Sequence, residues 1–302
     1  MTQILIIVNP SSGSKTGVTV GNSLQEIFRR KNKTTSIYET TGEDDFENFF
    51  RKGMNQGLEI VVALGGDGTV SEVVDGLSRL EKRPQLLPLP LGTTNNIVRA
   101  LGMEVDPDLL LEAIEKDQLQ EKEVDVGWIN DQYFISTVSA GSIPEVAWQT
   151  DNVLKERMGS VAYILEGMSA INDFEAFDIK IQTDNEVYQL DNVFLMVIGL
   201  SNSIFGIQTF FKEASYDDGK LYLYILKQSN FFNEASSIAR HILSGDNVEK
   251  SEDEYSLVTS FKKASIITSE KMGTAVDGEK GPEFPLDIEV LHKHITVIVP
   301  VV

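Results

Sequence analysis

The stretch EIVVALGGDGTVSEVVDGL, residues Glu59–Leu77, carries the strongest structural signal in the chain. Its first part, Glu59–Leu64, is apolar and ends at glycines, which is typical of a buried β-strand. Its second part begins a predicted helix, Thr69–Leu80. Between the two, the glycines let the backbone turn tightly and approach a ligand closely. The stretch therefore predicts a strand, a tight turn and a helix.

The same design occurs twice more in the first hundred residues. One copy is the turn Asn9–Gly13, and the other is Gly92–Asn96, which leads into Ile97–Leu101. The remaining predicted strands are Ile4–Val8 and Leu86–Leu91, and the remaining predicted helices are Asn22–Lys31 and Asp44–Gln56. Alternation of strands and helices predicts a parallel sheet covered on both faces. In such a sheet the three turns gather at the carboxyl edge of the strands, where ligands bind.

Three such turns at one sheet edge are suited to binding a polyphosphate. The free N–H groups at a helix N-terminus and the helix dipole both favour an anion. Asp67 would face the phosphates, which implies an intervening cation. A purely structural role is the alternative, since glycine can simply turn the chain and Thr69 can cap a helix. Neither a Walker A motif nor GxGxxG occurs at these turns, so the nucleotide-binding solution is a different one.

The sequence changes character after Asp125 and becomes rich in strand patterns. A hairpin is predicted to turn at Asn130-Asp131, and Thr183–Asn185 is a second predicted turn. The further predicted strands are Phe177–Ile181, Glu186–Leu190, Val193–Leu200, Leu221–Leu226, Ser256–Thr268, Leu286–Leu291 and Ile295–Val299, and the predicted helices are Leu154–Ile171 and Phe231–Leu243. We therefore expect an α/β domain over residues 1–125, which residues 292–302 could complete, and a β-rich, β-sandwich-like domain over residues 126–291.

The amino-acid composition argues against several classes of protein. The chain has 302 residues, of which 41% are apolar and 24% charged, the balance of a folded globular protein. The absence of Cys excludes disulfides and thiolate metal sites. A net charge of −20 argues against a nucleic-acid partner. No signal peptide and no apolar run of roughly 20 residues are found, so we expect a cytoplasmic protein with peripheral membrane contact only.

Six sequence elements together resemble one family. VNPSSG, ALGGDGTVSEVVDGL and LPLGTTNNIVRALG are similar in order and spacing to the catalytic domain of the diacylglycerol kinase-like lipid kinases. The resemblance extends to Val124–Gly127, Asp217–Gly219 and Val276–Glu279, and so covers essentially the whole chain. GGDGT alone is less specific, because NAD kinases share it.

The resemblance implies a role for particular residues. It implies ATP contacts by Asn9, Pro10, Ser11, Ser12, Gly13, Thr40, Gly65, Gly66, Asp67, Gly68, Thr69, Val70, Ser71, Glu72 and Thr93. It implies a magnesium site made by the carboxylate of Asp218 and the carbonyls of Ser215 and Lys220. Glu279 would act as general base, and Asp67 and Asp125 would join an acidic, water-mediated network linked to magnesium.

Asp277 and Glu279 are also candidate catalytic residues on their own chemistry. A lipid hydroxyl is a poor nucleophile near neutral pH, so a carboxylate must take its proton. If the segment is extended, both side chains fall on one face, and one could meet the metal while the other meets the substrate. A plain β-turn at Asp277-Gly278 is the alternative.

The implied activity is transfer of the γ-phosphate of ATP, with Mg²⁺, to a diacylglycerol-like lipid at a membrane surface, giving phosphatidic acid. Sphingoid bases, monoacylglycerols and polyprenols stay open as acceptors. So do an NAD kinase and a non-catalytic regulator that binds nucleotide or lipid. The segment Ser203–Ile207 with Phe210-Phe211 is predicted to form an exposed apolar lip for lipid. Assembly into a homodimer is an open option.

Overall fold

The computed structural model describes residues 3–10, 17–41, 45–92, 94–141, 176–204, 210–228, 250–252 and 255–302. Ser11, Ser12, Gly13, Thr93 and the predicted helices Leu154–Ile171 and Phe231–Leu243 lie outside the described residues. The chain divides into two compact units. The first contains Met1–Val126, Tyr133–Ile135 and Leu291–Val302, and the second contains Gly127–Gln132 and Ser136–Val290.

The first unit is built on a parallel sheet, as predicted. Its strands are β1 (Gln3–Val8), β2 (Thr34–Glu39), β3 (Leu58–Gly65), β4 (Gln85–Pro90) and the second half of β16 (Leu286–Pro300). Their order is β16-β4-β3-β1-β2, and every neighbouring pair is parallel. Ile4 to Val8 and Val61 to Leu64 are fully buried, because a covered parallel sheet is apolar on both faces.

Five helices accompany this sheet among the described residues. They are α1 (Gly17–Arg30), α2 (Phe46–Asn55), α3 (Asp67–Ser78), α4 (Asn96–Ala100) and α5 (Pro107–Glu115). Helix α1 packs against α5, and α2 packs against α3. In the second contact Phe46 and Phe50 stack with ring centroids 5.5 Å apart, and a Cβ at Gly76 would lie 2.6 Å from Cβ of Phe46. The close approach of α2 and α3 therefore requires glycine at position 76.

The second unit is β-rich and antiparallel, which confirms the predicted fold class. Its strands are β7 (Thr137–Gly141), β8 (Phe177–Thr183), β9 (Val187–Gly199), β10 (Leu221–Lys227), β11 (Lys250–Glu252), β12 (Ser256–Phe261), β13 (Lys263–Thr268), β14 (Gly273–Val276) and β15 (Glu279–Glu283). Strands β5 (Leu119–Ile129) and β6 (Gln132–Phe134) flank the predicted turn at Asn130-Asp131, and each is divided between the two units. The path β11-β12-β10-β9-β8-β13 ends on the first half of β16, while β7 pairs with β9 and β14.

Strand boundaries differ from the prediction where a strand changes partners. Strand β9 is one element where two were predicted: its first part pairs with β8 and its last part with β10 and β7. Asn192, at φ 54°, absorbs the irregularity within it. Strand β16 is likewise one element, with Lys293 at φ 52°. Conversely, the predicted strand Ser256–Thr268 is two strands, because β12 pairs with β10 and β13 with β8.

The predicted apolar lip is wrong at Phe210-Phe211, and its residues 205–207 lie outside the described residues. The two side chains are 4% and 3% exposed, and they pack against Tyr224 and Tyr222. A Cβ at Gly199 would lie 2.3 Å from Ile204 and 3.1 Å from Phe211, so this cluster is also close-packed against β9. Burial of about 150–250 Å² for each ring explains why these aromatics belong to the core of the second unit.

Candidate active site

The second glycine turn opens helix α3 without a side-chain cap. The helix begins at Asp67, two residues earlier than predicted, and Gly66 is its N-cap. The first hydrogen bond of the helix runs from Val70 N–H to the Gly66 carbonyl, at 3.2 Å. The N–H groups that precede Val70 have no carbonyl one turn earlier to accept them. This end of α3 is therefore suited to an anion.

The described residues of the three turns lie against one another. The Asn9 side-chain amide donates to the Thr69 hydroxyl at 3.2 Å, which joins the first turn to the second. The Leu91 N–H donates to the Gly65 carbonyl at 2.8 Å, which joins the second to the third. A Cβ at Gly92 would lie only 2.7 Å from Cα of Gly66. The second and third turns therefore touch backbone to backbone, and we call the three turns the cradle.

Asp67 holds the third turn in place. Its Oδ2 accepts the N–H of Asn96 and its Oδ1 accepts the N–H of Ile97, both at 3.0 Å. Burial raises the pKa of the Asp67 carboxyl, although these two hydrogen bonds and the charge of Arg99 act in the opposite direction. The sequence predicted a carboxylate that faces phosphates through a cation. In the structure both of its oxygens cap the N-terminus of α4.

The third turn is closed by Asn95. Its Oδ1 accepts the Gly92 N–H at 3.0 Å, and its Nδ2 donates to the Gly92 carbonyl at 2.8 Å. Asn95 has φ 52°, a left-handed conformation that asparagine adopts more readily than most residues. The Asn95 side chain thus fixes the path of the chain immediately before α4.

The other residues predicted to contact ATP are spread along the same sheet edge. The Thr40 N–H donates to the Val8 carbonyl at 2.9 Å, which places Thr40 beside the end of β1. Pro10 is exposed, and Ser71 and Glu72 are half-buried on α3. Val70 is 2% exposed, so its side chain belongs to the core and only its backbone is positioned at the turn.

We expect Asp67→Asn to destabilise the first unit. An amide oxygen can accept one of the two N–H groups, but the amide nitrogen cannot accept the other. A buried N–H group without an acceptor costs about 1–3 kcal/mol. Asp106 provides the control, because it accepts only one N–H, that of Asp108, so Asp106→Asn keeps its cap. Urea unfolding of both variants checks the difference; equal stability would contradict it.

The second unit contains the loop predicted to bind magnesium. Oδ1 of Asp218 accepts the Lys220 N–H at 2.9 Å, and Oδ2 accepts the Ser215 N–H at 3.1 Å and the Tyr222 hydroxyl at 2.9 Å. The carboxylate thus shapes the loop through the residues whose carbonyls were predicted as ligands. One carboxylate and nearby carbonyls are ligands that Mg²⁺ accepts, with water completing its shell.

Asp277 and Gly278 form a tight turn, so the β-turn is the one of the two open alternatives that the structure has. They have φ 50° and 90° and join β14 to β15. Oδ1 of Asp277 accepts the N–H groups of Ser136 and Thr137, each at 2.8 Å. Glu279 follows as the first residue of β15, paired with Val276, and its side chain is exposed.

Asp125 is a buried carboxylate in the first unit. It is 0% exposed, its Oδ1 accepts the Lys293 N–H at 2.7 Å, and the same oxygen lies 2.8 Å from Nδ1 of His292. These contacts hold the left-handed residue Lys293 within β16. The link from Asp125 to magnesium stays a prediction.

The sequence analysis missed a cluster at the far end of α3. Arg79 forms two hydrogen bonds to Asp75, at 2.8 and 2.9 Å, and lies 5.5 Å from the Tyr133 ring centroid. Asp75 also accepts the Tyr133 N–H at 2.9 Å, and His294 stacks on Tyr133 at 5.8 Å. Asp75 and Arg79 are four residues apart, but Tyr133 and His294 are distant in sequence, so no local pattern could have indicated the whole cluster. The cluster anchors the C-terminal end of the helix whose N-terminus forms the cradle.

We expect His294 to make the stability of the first unit sensitive to acid. Burial, and then the positive charge of Arg83, lower the pKa of His294. The unfolded chain takes up this proton near pH 6.5 and the folded chain only at lower pH, so the free energy of unfolding falls as pH drops below about 6.5. His294→Phe keeps a ring against Tyr133 and should weaken this dependence. Urea unfolding at about pH 7.5 and about pH 5.5 tests it; an unchanged dependence would contradict it.

Comparison with known proteins identifies the family. A model described as the diacylglycerol kinase catalytic domain matches residues 3–129, and one described as the YegS C-terminal NAD kinase beta sandwich-like domain matches residues 136–299. A diacylglycerol kinase of Bacillus subtilis (strain 168) is 31% identical over 300 residues, covering 99% of this chain and 97% of the relative. One of Staphylococcus haemolyticus (strain JCSC1435) is 31% identical over 295 residues, covering 98% and 87%.

Solved structures agree with these matches. The crystal structure of a diacylglycerol kinase from Bacillus anthracis str. Sterne superposes with a TM-score of 0.77 at 28% identity, covering 98% of this chain and 96% of that one. The two units and the glycine-turn cradle are thus the architecture of a lipid kinase. The chain belongs to the diacylglycerol kinase-like family, and the predicted family is confirmed.

The described residues lack two features, a membrane-spanning helix and a cluster of side chains arranged to bind a metal ion. None of the helices in the described part of the chain is long and apolar enough to cross a membrane. Within the same residues, no group of three or more His, Asp or Glu side chains is arranged to hold a metal ion.

Proposed function

We propose that this lipid kinase transfers the γ-phosphate of ATP to the hydroxyl of diacylglycerol, giving phosphatidic acid. The observation that carries the proposal is the cradle. It presents the uncapped N-terminus of α3 beside two other glycine turns, with the backbones of Gly66 and Gly92 in contact. Backbone N–H groups held in this way bind a phosphate chain without side-chain bulk.

The cradle residues supply positioning, which is the larger part of phosphoryl-transfer catalysis. Asn9 is hydrogen-bonded to Thr69, and Asp67 holds the start of α4, so the described residues of the three turns form one connected surface. We assign Ser11, Ser12, Gly13 and Thr93 to this surface by their family positions. In this proposal Asp67 contributes to phosphate binding by holding the third turn in place.

Magnesium fits the Asp218 loop. Oδ1 of Asp218 and the carbonyls of Ser215 and Lys220 would hold the ion. A bound Mg²⁺ supplies charge neutralisation and an ordered water shell. With its carboxylate already accepting three donors, Asp218 keeps this loop in one conformation.

Glu279 is the general base in this proposal. It would accept the proton of the acceptor hydroxyl as the new phosphoester bond forms, and its exposed position leaves the carboxylate open to substrate. Of the open acceptors, diacylglycerol has the support of the named relatives. We place the enzyme at a membrane surface during turnover, because that is where its substrate resides.

A lipid panel tests the proposal. The purified chain is given ATP with Mg²⁺ and micelles of diacylglycerol, monoacylglycerol, sphingosine or undecaprenol, and ATP consumption is followed. We expect turnover with diacylglycerol that Asp67→Ala, Glu279→Ala and chelation of Mg²⁺ each suppress. Turnover with another lipid alone would reassign the acceptor. ATP binding without any turnover would favour a regulator.

NAD is tested separately, as an acceptor that is not a lipid. The description of the family model for residues 136–299 mentions NAD kinase, and the GGDGT motif is shared with those enzymes. Formation of NADP⁺ at a rate equal to or above that with diacylglycerol would overturn the proposed substrate.

A further inference from the structure

Three hydrogen bonds clamp the Asp277-Gly278 turn to the segment at the start of β7. Oδ1 of Asp277 accepts the N–H groups of Ser136 and Thr137, both at 2.8 Å, and the Asp277 N–H donates to the Thr137 carbonyl at 2.8 Å. An oxygen that accepts two N–H groups has both acceptor positions engaged. This oxygen atom therefore binds main-chain N–H groups of the second unit, to which Asp277 itself belongs.

The turn itself fixes the direction in which the chain reaches Glu279. Positive φ at both central residues is the geometry of the two-residue hairpin turn of type I′, for which Asp-Gly is a preferred sequence. Val276 and Glu279 are paired directly across it. Further along, the Thr274 hydroxyl donates to the Pro282 carbonyl at 2.9 Å. The β14-β15 hairpin is thus held at its tip by Asp277 and in its stem by Thr274.

We propose that Asp277 is a positioning residue, whose carboxylate oxygen holds the hairpin so that Glu279 can accept the proton of the acceptor hydroxyl. The inference rests on the proposed function, which makes Glu279 the base. What the site requires at position 277 is an acceptor atom and a left-handed backbone. The negative charge is dispensable.

Two substitutions of Asp277 distinguish the effect of its negative charge from the effect of its acceptor atom. Asn keeps an acceptor oxygen at the same place and tolerates the left-handed conformation, but it has no charge. Gly tolerates the conformation and permits the same turn, but it has no acceptor. A misplacement of about 1 Å costs about 100-fold in rate. We expect Asp277→Asn to keep kcat within about threefold of the wild type, and Asp277→Gly to lose about 100-fold in kcat with KM for ATP changed less than about threefold.

The experiment measures kcat and KM for ATP in the diacylglycerol assay for the full chain, both Asp277 variants and Glu279→Gln. Amide exchange at Ser136 and Thr137 is measured alongside and should be faster in Asp277→Gly only. If Asp277→Asn loses as much kcat as Asp277→Gly, and Glu279→Gln also loses kcat, the negative charge of Asp277 is required. That result would contradict the inference and leave the proposed function in place. If Glu279→Gln keeps wild-type kcat, the base assignment falls and takes the inference with it. Unchanged kcat or unchanged exchange in Asp277→Gly would also overturn it.

Discussion

Replacing Glu279 with Gln should lower kcat by about 10²–10⁴-fold, the range that a positioned general base contributes. The side chain keeps its size and its place at the start of β15, and only the ability to accept a proton is lost. Affinity for ATP should be retained, because the residues that form the cradle belong to the first unit. Steady-state kinetics with diacylglycerol, together with calorimetric titration of ATP, separate the two quantities.

Glu283→Gln is the matched control. Glu283 is also exposed, lies on the same strand four residues later and would receive the same substitution. It should keep wild-type kcat, because any general effect of removing one negative charge from this strand is common to both variants. A loss of less than about threefold in Glu279→Gln, or an equal loss in both variants, would remove Glu279 from the mechanism.

The elements that sequence patterns predicted are those whose environment is uniform along their length. Strands β1, β3 and β4 are covered on both faces, so each is an uninterrupted apolar run. Strand β2 is at the edge of the sheet and alternates between exposed and half-buried residues, and no apolar run indicated it. Strand β2 was therefore missed, whereas β8, which alternates regularly between buried and exposed residues, was predicted.

Strands that change partners were predicted as two pieces. Polar residues interrupt the apolar pattern at Asn192 in β9 and at Lys293 in β16, and both residues have positive φ. A prediction from the local pattern therefore ends the strand at each of these polar residues. Strand β16 continues past Lys293 because the Lys293 N–H donates to Asp125. These two residues are 168 positions apart, so no local sequence pattern indicates the hydrogen bond.

In the candidate site too, features that depend on neighbouring residues were predicted, and contacts between residues far apart in sequence were not. Gly66, Gly68 and Thr69 were recognised from one continuous stretch. The Asp-Gly pair at 277 and 278 indicated a β-turn as one of two open alternatives, and the structure has that turn. The capping of α4 by Asp67 depends on N–H groups 29 and 30 residues away, so the sequence predicted a carboxylate at the turn but not what it binds.

Gly92→Ala should cause the largest loss in the first unit. The added Cβ would lie 2.7 Å from Cα of Gly66 and 2.9 Å from Oδ1 of Asn95. The first neighbour is main chain and cannot rotate away, so the second and third turns must separate. That movement strains the hydrogen bond from Leu91 to Gly65 and the closure of the turn by Asn95. We expect affinity for ATP to fall at least about tenfold and kcat/KM about 100-fold.

The control for Gly92→Ala is Gly273→Ala at the start of β14, where an added Cβ meets nothing within 4 Å. Both changes add one methyl group and remove the same backbone freedom of the unfolded chain, so a difference between them isolates the contact at Gly66. Calorimetric titration of ATP against both variants measures it. Wild-type affinity in Gly92→Ala would mean that the cradle tolerates separation of its turns, and the phosphate chain would then have to be held elsewhere. Loss of affinity in Gly92→Ala alone would tie nucleotide binding to the backbone contact between two glycines.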